Sequence, residues 1–183
     1  MSPLPVAVDL GDGVLLRRLR IEDLQEIWAL VDAERDRIGP WMPWVEGTTT
    51  IDDQRRWLEG VIRDERNVDG LGIFVEGRYA GGVGLSVDEF GVAGDIGYWI
   101  GREHEGRGLV SRAVRALIEI GFRDLGLHRI VIRAGEHNHR SRAIPERLGF
   151  TREGVARGEG RGSGGFYDLV VYSLLEDEWP PHA

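Results

Sequence analysis

The chain has 183 residues and contains neither cysteine nor lysine, so all 23 of its basic residues are arginine. Without cysteine there can be no disulfide, no thiolate metal ligand and no cysteine nucleophile. Without lysine there can be no P-loop, because that motif ends in Gly-Lys-Ser or Gly-Lys-Thr. No apolar run is long enough to cross a membrane, and no basic segment followed by an apolar one opens the chain. We therefore expect a cytoplasmic protein that does not enter a membrane.

The formal net charge of −8 argues against nucleic-acid binding, which draws on clustered positive charge. An acidic protein is better suited to cationic partners. Arginines are nevertheless concentrated locally, at Arg102, Arg107, Arg112 and Arg115 and again between 129 and 147. A local basic patch suits a small polyanionic ligand, although solvated surface arginines are the alternative for each residue taken singly.

The apolar pattern predicts a flexible leader at 1–12 and a single α+β domain at 13–178. We expect a mixed, mostly antiparallel central sheet with helices on both of its faces. The predicted strands are 14–20, 71–75, 80–88, 92–100, 128–134, 150–155 and 166–174. The predicted helices are 21–34, about 52–61, 110–126 and 141–148. Prolines predict a loop at 39–44, and glycines predict another at 158–165.

Residues 95–112 carry the strongest local signal. An apolar strand ends near Gly101, the turn Gly106-Arg107-Gly108 follows, and an amphipathic helix begins at once. Backbone N–H groups and the helix dipole at such a junction favour a phosphate group. The next strand, at 128–134, is expected to run parallel to the first through a right-handed crossover. A dinucleotide fold is the weaker alternative, because meander strands precede the loop and Ser111 takes the place of the third glycine.

Three segments of the chain resemble the GNAT acetyltransferase superfamily. Residues 105–110, Glu-Gly-Arg-Gly-Leu-Val, are similar to its pyrophosphate loop, Gln/Arg-x-x-Gly-x-Gly/Ala. Residues 95–101 are similar to the strand before that loop. Residues 138–154, which start at Asn138 and end in Glu153-Gly154, are similar to the second signature of the family.

Two further segments resemble the ribosomal-protein N-terminal acetyltransferases, the Rim-type branch. These are the Trp-Met-Pro-Trp loop at 41–44 and the pattern Tyr167-Asp168-x-x-x-Tyr172. The resemblance covers about residues 13–178 in matching order. It implies a β-loop-α site for acetyl-CoA as co-substrate and no metal, and it is compatible with a homodimer.

The resemblance implies that acetyl-CoA lies between the strands near 96–100 and 129–133. Backbone groups of Trp99 and Ile100 would pair with its pantetheine arm, and Asn138 would contact the same arm. The amides that would hold the pyrophosphate are those of Gly106, Arg107, Gly108, Leu109, Val110 and Ser111. A further hypothesis is that Arg140 or Arg147 reaches the adenosine phosphate.

Two residues of the loop depart from the family pattern. Glu105 stands in place of Gln or Arg, and Val110 stands in place of Gly or Ala. An acidic side chain beside a pyrophosphate is unfavourable, so we expect Glu105 to face solvent.

By the same resemblance, Ser141 protonates the departing CoA thiolate, with a helix cap as its alternative or additional role. The family places its candidate base a few residues beyond Glu153-Gly154, where Glu159 is the nearest carboxylate. Asp95, at the start of the strand with the thioester contacts, is the other candidate, and either would activate the amine through a water. Trp41 and Trp44 are expected to line the acceptor pocket, with core packing as the alternative. The pair His137 and His139 lacks a third metal ligand and is interpreted as polar loop.

The implied activity is acetyl transfer to a primary amine by direct attack in a ternary complex. The acceptor expected from the branch is the α-amine of a basic protein or peptide N-terminus. Alternatives are the same chemistry on a small amine, such as an amino acid, polyamine, drug or toxin, and a non-catalytic acyl-CoA-binding module. An oxidoreductase is a distant alternative.

Overall fold

One eight-stranded sheet organises the computed structural model, which describes residues 7–63, 68 and 70–180. Its strand order is β1-β2-β3-β4-β5-β6-β8-β7. The strands are β1 Ala7–Gly11, β2 Val14–Arg18, β3 Leu71–Val75, β4 Arg78–Val87, β5 Ala93–Ile100, β6 Arg129–Gly135, β7 Thr151–Gly162 and β8 Gly165–Leu175. The sheet is mixed and mostly antiparallel, which confirms the predicted α+β class.

Helices cover both faces of this sheet. They are α1 Leu24–Ile38, α2 Trp44–Gly47, α3 Ile51–Arg63, α4 Leu109–Glu119 and α5 His139–Arg147. None of the described helices combines the length and apolar character that a membrane crossing requires.

Alternation along the strands divides the core between the two faces. The cluster on the α4 face includes Leu16, Ile73, Ile96 and Leu117. The cluster on the α1 face, which α3 shares, includes Ile27, Leu58, Phe74 and Tyr79. In β5, Ile96 therefore points to the α4 face, and its neighbours Asp95 and Gly97 are directed to the α1 face.

The neighbours β5 and β6 are parallel, as the strand–helix–strand pattern predicted. They pair only where Ala93–Asp95 face Arg129–Val131. Beyond that point β5 stays on β4 as far as Ile100, and β6 stays on β8 as far as Gly135. The sheet thus opens into a gap between the second halves of the two strands.

The predicted leader is wrong where the structure describes it. Ala7–Gly11 form an edge strand that pairs with β2, and residues 1–6 lie outside the described residues. The segment from Gly11 to Gly13 turns the chain back tightly, with φ near 82° and 71° at its two glycines. Glycine adopts such positive φ values without a Cβ penalty, so these residues form a hairpin rather than a loose segment.

The predicted glycine loop at 158–165 is also wrong over most of its length, because β7 continues to Gly162. A Cβ at Gly160 would lie 2.2 Å from the Tyr167 ring, and one at Gly162 would lie 2.1 Å from the Pro40 carbonyl oxygen. These glycines are therefore needed for close packing within a strand.

The end of the sheet formed by β6, β7 and β8 carries a bidentate ion pair. Arg129 donates to both carboxylate oxygens of Glu153 at 2.6 Å, and Ser173 Oγ donates to Glu153 Oε1 at 2.8 Å. These bonds, that from Arg129 foremost, lower the pKa of Glu153 to about 2 from its ordinary value of 4.5.

We predict that Glu153→Gln lowers the free energy of unfolding at pH 7 by up to about 1 kcal/mol. A lowered pKa contributes stability that is complete above the unfolded value and is lost as pH falls towards the folded value. The difference between variant and wild type should therefore shrink from pH 4.5 to pH 2 in urea denaturation. Glu89→Gln, in an exposed turn, is the control. A difference independent of pH would contradict the prediction.

Candidate active site

The loop between β5 and α4 turns on two glycines. Gly106 and Gly108 have φ near 74° and 71°, and Gly108 is the residue at which α4 begins. A Cβ at either position would meet nothing within 4 Å, so backbone conformation rather than space calls for glycine there. The concave side of the loop is therefore bare backbone.

The N–H groups of this loop are the main feature of the site. Within the described part of the chain, no backbone N–H from Gly106 to Ser111 has a hydrogen-bond partner, and Arg112 N–H is the first to donate, to Gly108 O at 3.1 Å. Unpaired amides at a helix N-terminus form an anion site. Leu109 and Val110 bury their side chains in the core, so the replacement of Gly or Ala by Val110 does not obstruct the loop.

The expectation that Glu105 faces solvent is wrong. Its carboxylate accepts a hydrogen bond from Arg37 of α1 at 2.7 Å and a second from Arg140 of α5. Arg37 also pairs with Glu34 and donates to the Ile100 carbonyl oxygen. Glu105 adds a negative charge where the family pattern has Gln or Arg. The guanidinium groups of Arg37 and Arg140 offset this charge.

The gap beside β5 is lined by alternate backbone groups. Gly101 N–H donates to Ala80 O of β4 at 2.8 Å, so by antiparallel alternation the backbone of Trp99 also faces β4. The backbone groups of Tyr98 and Ile100 face the gap instead. The prediction for Ile100 agrees with this geometry, whereas Trp99 can contribute only its ring, and Tyr98 takes the place we expected Trp99 to hold.

The start of α5 lies against the same gap. Asn138, not Ser141, caps this helix, because Asn138 Oδ1 accepts the Ser141 N–H at 3.2 Å. The hydroxyl of Ser141 lies 3.3 Å from Tyr98 Oη, and Tyr98 Oη donates to the Ser141 carbonyl oxygen at 2.9 Å. Burial raises the pKa of Tyr98, so this phenol stays protonated. The Ser141 hydroxyl is therefore free of capping and held beside the gap.

The two candidate bases share one cation, Arg133 of β6. Arg133 Nη1 contacts Asp95 directly, and its Nε lies 3.9 Å from Glu159 Oε1. All three side chains line one cavity on the α1 face of the sheet. The Arg133 guanidinium thus holds both carboxylates in the wall of this cavity.

That cavity has a volume of about 520 Å³ and is mostly apolar. It reaches Asn138 and Ser141 at the gap, and both Trp41 and Trp44 line it as predicted. Trp41 is fixed by an edge contact with Tyr167, with ring centroids 5.4 Å apart, and by a 3.0 Å bond from Tyr167 Oη to its carbonyl oxygen.

Arg140 and Arg147, which we expected to reach the adenosine phosphate, contact other residues of the protein. Arg140 pairs with Glu105, and Arg147 donates to Ser111 Oγ at 3.2 Å. Arg107 lies 3.3 Å from His104 Nδ1. These three arginines contact or belong to the segment from His104 to Ser111, so the rim of the amide loop is rich in guanidinium groups.

Three residues of the site escaped sequence reasoning: Tyr98, Arg133 and Gln54. Tyr98 and Arg133 stand in strands in which each looks like an ordinary sheet residue. Gln54 of α3 reaches the cavity from a helix that carries no motif. Strand alternation places Asp95 and Arg133 on the same face of the sheet. This is the only sequence signal that could have predicted that the two side chains meet.

Among the described residues, no group of three or more His, Asp or Glu side chains could hold a metal ion. The pair His137 and His139 is therefore not part of such a group.

Comparison with known proteins identifies the protein family to which the chain belongs. The family model described as "Acetyltransferase (GNAT) domain" matches residues 14–151. The chain belongs to the GNAT acetyltransferase family and is an N-acetyltransferase. Within the family it is similar to ribosomal-protein N-acetyltransferases of the Rim type.

Three relatives illustrate this similarity. The chain is 35% identical over 176 residues to the Bacillus subtilis (strain 168) protein named "Putative ribosomal N-acetyltransferase YdaF", covering 92% of this chain and 94% of that protein. A solved structure of the microcin C7 self-immunity acetyltransferase MccE with acetyl-CoA and AMP has a TM-score of 0.84 and 27% identity, covering 95% and 98% of the two chains. The ribosomal L7/L12 α-N-protein acetyltransferase RimL with coenzyme A shares the fold, with a TM-score of 0.86 at 22% identity over 94% and 99%.

We predict that Tyr98→Phe lowers the free energy of unfolding by about 1–3 kcal/mol, because the Ser141 carbonyl loses its buried donor. Ser141→Ala should cost less than about 1 kcal/mol, since its hydroxyl makes only the longer 3.3 Å bond. Urea denaturation measures both values. A larger loss for Ser141→Ala than for Tyr98→Phe would contradict this assignment of the two bonds.

Proposed function

We propose that this protein transfers the acetyl group of acetyl-CoA to the α-amine of a protein or peptide N-terminus. One arrangement carries the proposal: the amide loop follows β5, β5 and β6 separate into a gap, and the cavity with two carboxylates reaches Asn138 and Ser141 at that gap. A cytoplasmic location and a homodimer are included in the proposal from the family resemblance.

The residues of this arrangement fit acetyl-CoA in turn. The amides of Gly106 to Ser111 bind the pyrophosphate, and the guanidinium groups of the rim add attraction. The backbone of Tyr98 and the N–H of Ile100 in the gap pair with the pantetheine arm, while the Ile100 carbonyl oxygen keeps its bond from Arg37. Asn138 offers its side-chain NH₂ to the same arm. When bound, acetyl-CoA supplies an activated acetyl group as a thioester.

Asp95 and Glu159 act on the acceptor. Either carboxylate takes a proton from the ammonium group, directly or through water, and leaves a neutral amine as nucleophile. Arg133 fixes the positions of both carboxylates. An α-amine has a pKa of about 7.7–8.0 against about 10.4 for lysine, so an α-amine needs little help from the base.

Ser141 acts at the leaving group. As the amine nitrogen forms its bond to the acetyl carbon, the bond from that carbon to sulfur breaks and the electron pair goes to sulfur. The nitrogen loses its second proton to water, which leaves a neutral amide. The Ser141 hydroxyl donates its proton to this thiolate, and Tyr98 holds that hydroxyl at the gap. The proton is replaced from solvent after the products leave.

A small amine is the second candidate acceptor. The observation that favours it is the likeness to MccE, whose structure holds AMP beside acetyl-CoA. The volume of the cavity on the α1 face, about 520 Å³, would also suit a compact substrate.

Thiol release from acetyl-CoA tests the proposal, and the lack of cysteine means that a thiol reagent detects only released CoA. The acceptors are peptides with free N-termini, the same peptides N-blocked with an internal lysine, and a set of small amines. We expect turnover with free N-termini and none with blocked ones. Turnover confined to small amines would replace the proposal by the second candidate. Binding of acetyl-CoA without turnover on any amine would contradict it.

We predict that Ser141→Ala lowers kcat about 10²-fold or more, in the range of general acid–base contributions, with KM for acetyl-CoA little changed. The reason is that only the departing thiolate requires this hydroxyl. Steady-state kinetics with a fixed acceptor measure both constants. Ser163→Ala in the β7–β8 turn is the control. An unchanged kcat would leave Ser141 without a role in proton transfer.

We predict that Gly108→Ala raises the Kd for CoA about tenfold or more, because a Cβ at φ near 71° strains the loop that presents the amides. Calorimetric titration of the chain with CoA measures this without any acceptor. Gly91→Ala, at φ near 68° in an exposed turn with nothing within 4 Å of its Cβ, imposes the same strain elsewhere. Equal affinities for the two variants would contradict phosphate binding at the loop.

A further inference from the structure

Gln54 of α3 is a buried polar residue that the proposed mechanism does not use. Its side chain is 3% exposed and lines the cavity on the α1 face. Its Oε1 is the only fully buried side-chain oxygen or nitrogen in the described chain without a hydrogen-bond partner. A buried acceptor left unpaired destabilises a fold, so its presence in the wall of a cavity points to a donor on a ligand.

Glycines keep the floor of this cavity open. Gly82, Gly84 and Gly97 line it on the α1 face of β4 and β5. At Gly82 the absent side chain makes room for the Trp99 ring, since a Cβ there would lie 2.9 Å from Trp99 Nε1. A Cβ at Gly97 would meet nothing within 4 Å, and no positive φ requires glycine there. The cavity is thus wider than an acetyl group and an amine alone require.

Aromatic rings form the walls over this floor. The Trp99 ring lies 6.1 Å from that of Trp44 and 6.0 Å from that of Tyr79, measured between centroids. Trp57 of α3 lines the same space. Such walls favour a flat, apolar ring through edge and stacking contacts.

The two carboxylates and Gln54 line the cavity from different parts of the sheet. Asp95 and Glu159 belong to β5 and β7, where the amine is to be deprotonated. Gln54 belongs to α3, which packs beside α1 over Phe74 and Leu19 near β2 and β3. A ligand that contacts the carboxylates, the aromatic walls and Gln54 needs an ammonium group, an apolar ring and a hydrogen-bond donor.

We propose that the acceptor residue with the α-amine has an aromatic side chain, and that this side chain carries a hydrogen-bond donor, as tyrosine and tryptophan do. The ring lies among Trp44, Trp57 and Trp99, and its O–H or N–H donates to Gln54 Oε1. This inference rests on the proposed function and specifies its acceptor. It differs from a serine or alanine terminus, whose side chain would leave the aromatic walls and Gln54 without contact.

Peptides that differ only in a first residue of Tyr, Trp, Phe, Ser or Ala test the proposal by their kcat/KM values. We expect Tyr or Trp to exceed Phe by about tenfold or more, since a site built to accept a hydrogen bond rejects the analogue that lacks the donor. Phe should in turn exceed Ser and Ala. Values for Ser or Ala equal to or above that for Phe would overturn the proposal.

The variant Gln54→Leu tests the hydrogen bond itself. It should remove the preference for Tyr over Phe, keep turnover on Phe, and leave the melting temperature equal or higher because the unpaired amide is gone. Gln25→Leu changes the other glutamine of the chain, which is exposed on α1, and should preserve the preference. If Gln54→Leu does not fold, Gln54→Met serves the same purpose. An unchanged ratio in a folded variant would overturn the proposal.

Binding separates this proposal from the proposed function. Tyrosinamide and phenylalaninamide are titrated against the chain with CoA present, and quenching of the cavity tryptophans gives Kd. Tighter binding of tyrosinamide that Gln54→Leu abolishes, without CoA release from acetyl-CoA, would uphold the pocket and refute the transferase activity. Equal Kd values would overturn the pocket assignment even if acetyl transfer to other termini is observed.

Discussion

The early separation of β5 from β6 is the constraint on which the rest of the site depends. If β5 and β6 stayed paired beyond Asp95, the backbone groups of Tyr98 and Ile100 would form hydrogen bonds to β6 and the sheet would have no gap there. Because the strands separate, those groups face an open gap. The amide loop follows the free half of β5, and the cavity reaches Tyr98 and Ser141 beside the gap. Ser141 and Asn138 reach this passage only because α5 follows the strand that moves away.

Arginine supplies every fixed positive charge in the described site, and most of these groups already have carboxylate partners. Arg133 neutralises Asp95 and Glu159, while Arg37 and Arg140 share Glu105. A guanidinium offers several donors in a rigid fork, so one residue can orient two carboxylates. The protein thus keeps acidic groups near both of its ligands without exposing them as isolated charges. The acidic overall balance of the chain is compatible with a local anion site for this reason.

Local sequence signals predicted the framework of the fold and much of the loop. The sequence Gly106-Arg107-Gly108 before an amphipathic helix indicated the amide site, and the apolar pattern located most strands. Predictions failed where glycine had two possible meanings. At 158–165 the glycines make room for Tyr167 and Pro40 instead of loosening the chain, and at 11–13 they close a hairpin. A single sequence does not distinguish a glycine needed for φ from one needed for space.

The α+β class and the phosphate-type loop could be derived from the sequence alone, because they depend on neighbouring residues, for which spacing and local conformation carry the information. Ser141 and Glu159 became candidates through the resemblance to the GNAT family, and Asp95 through its place at the start of a strand. Only the tertiary structure decided that Arg133 lies between the two carboxylates, that Glu105 bridges Arg37 and Arg140, and that Gln54 faces the cavity without a partner. Those relations join residues far apart in the chain, and they arise from strand order, the face to which each residue projects, and helix packing.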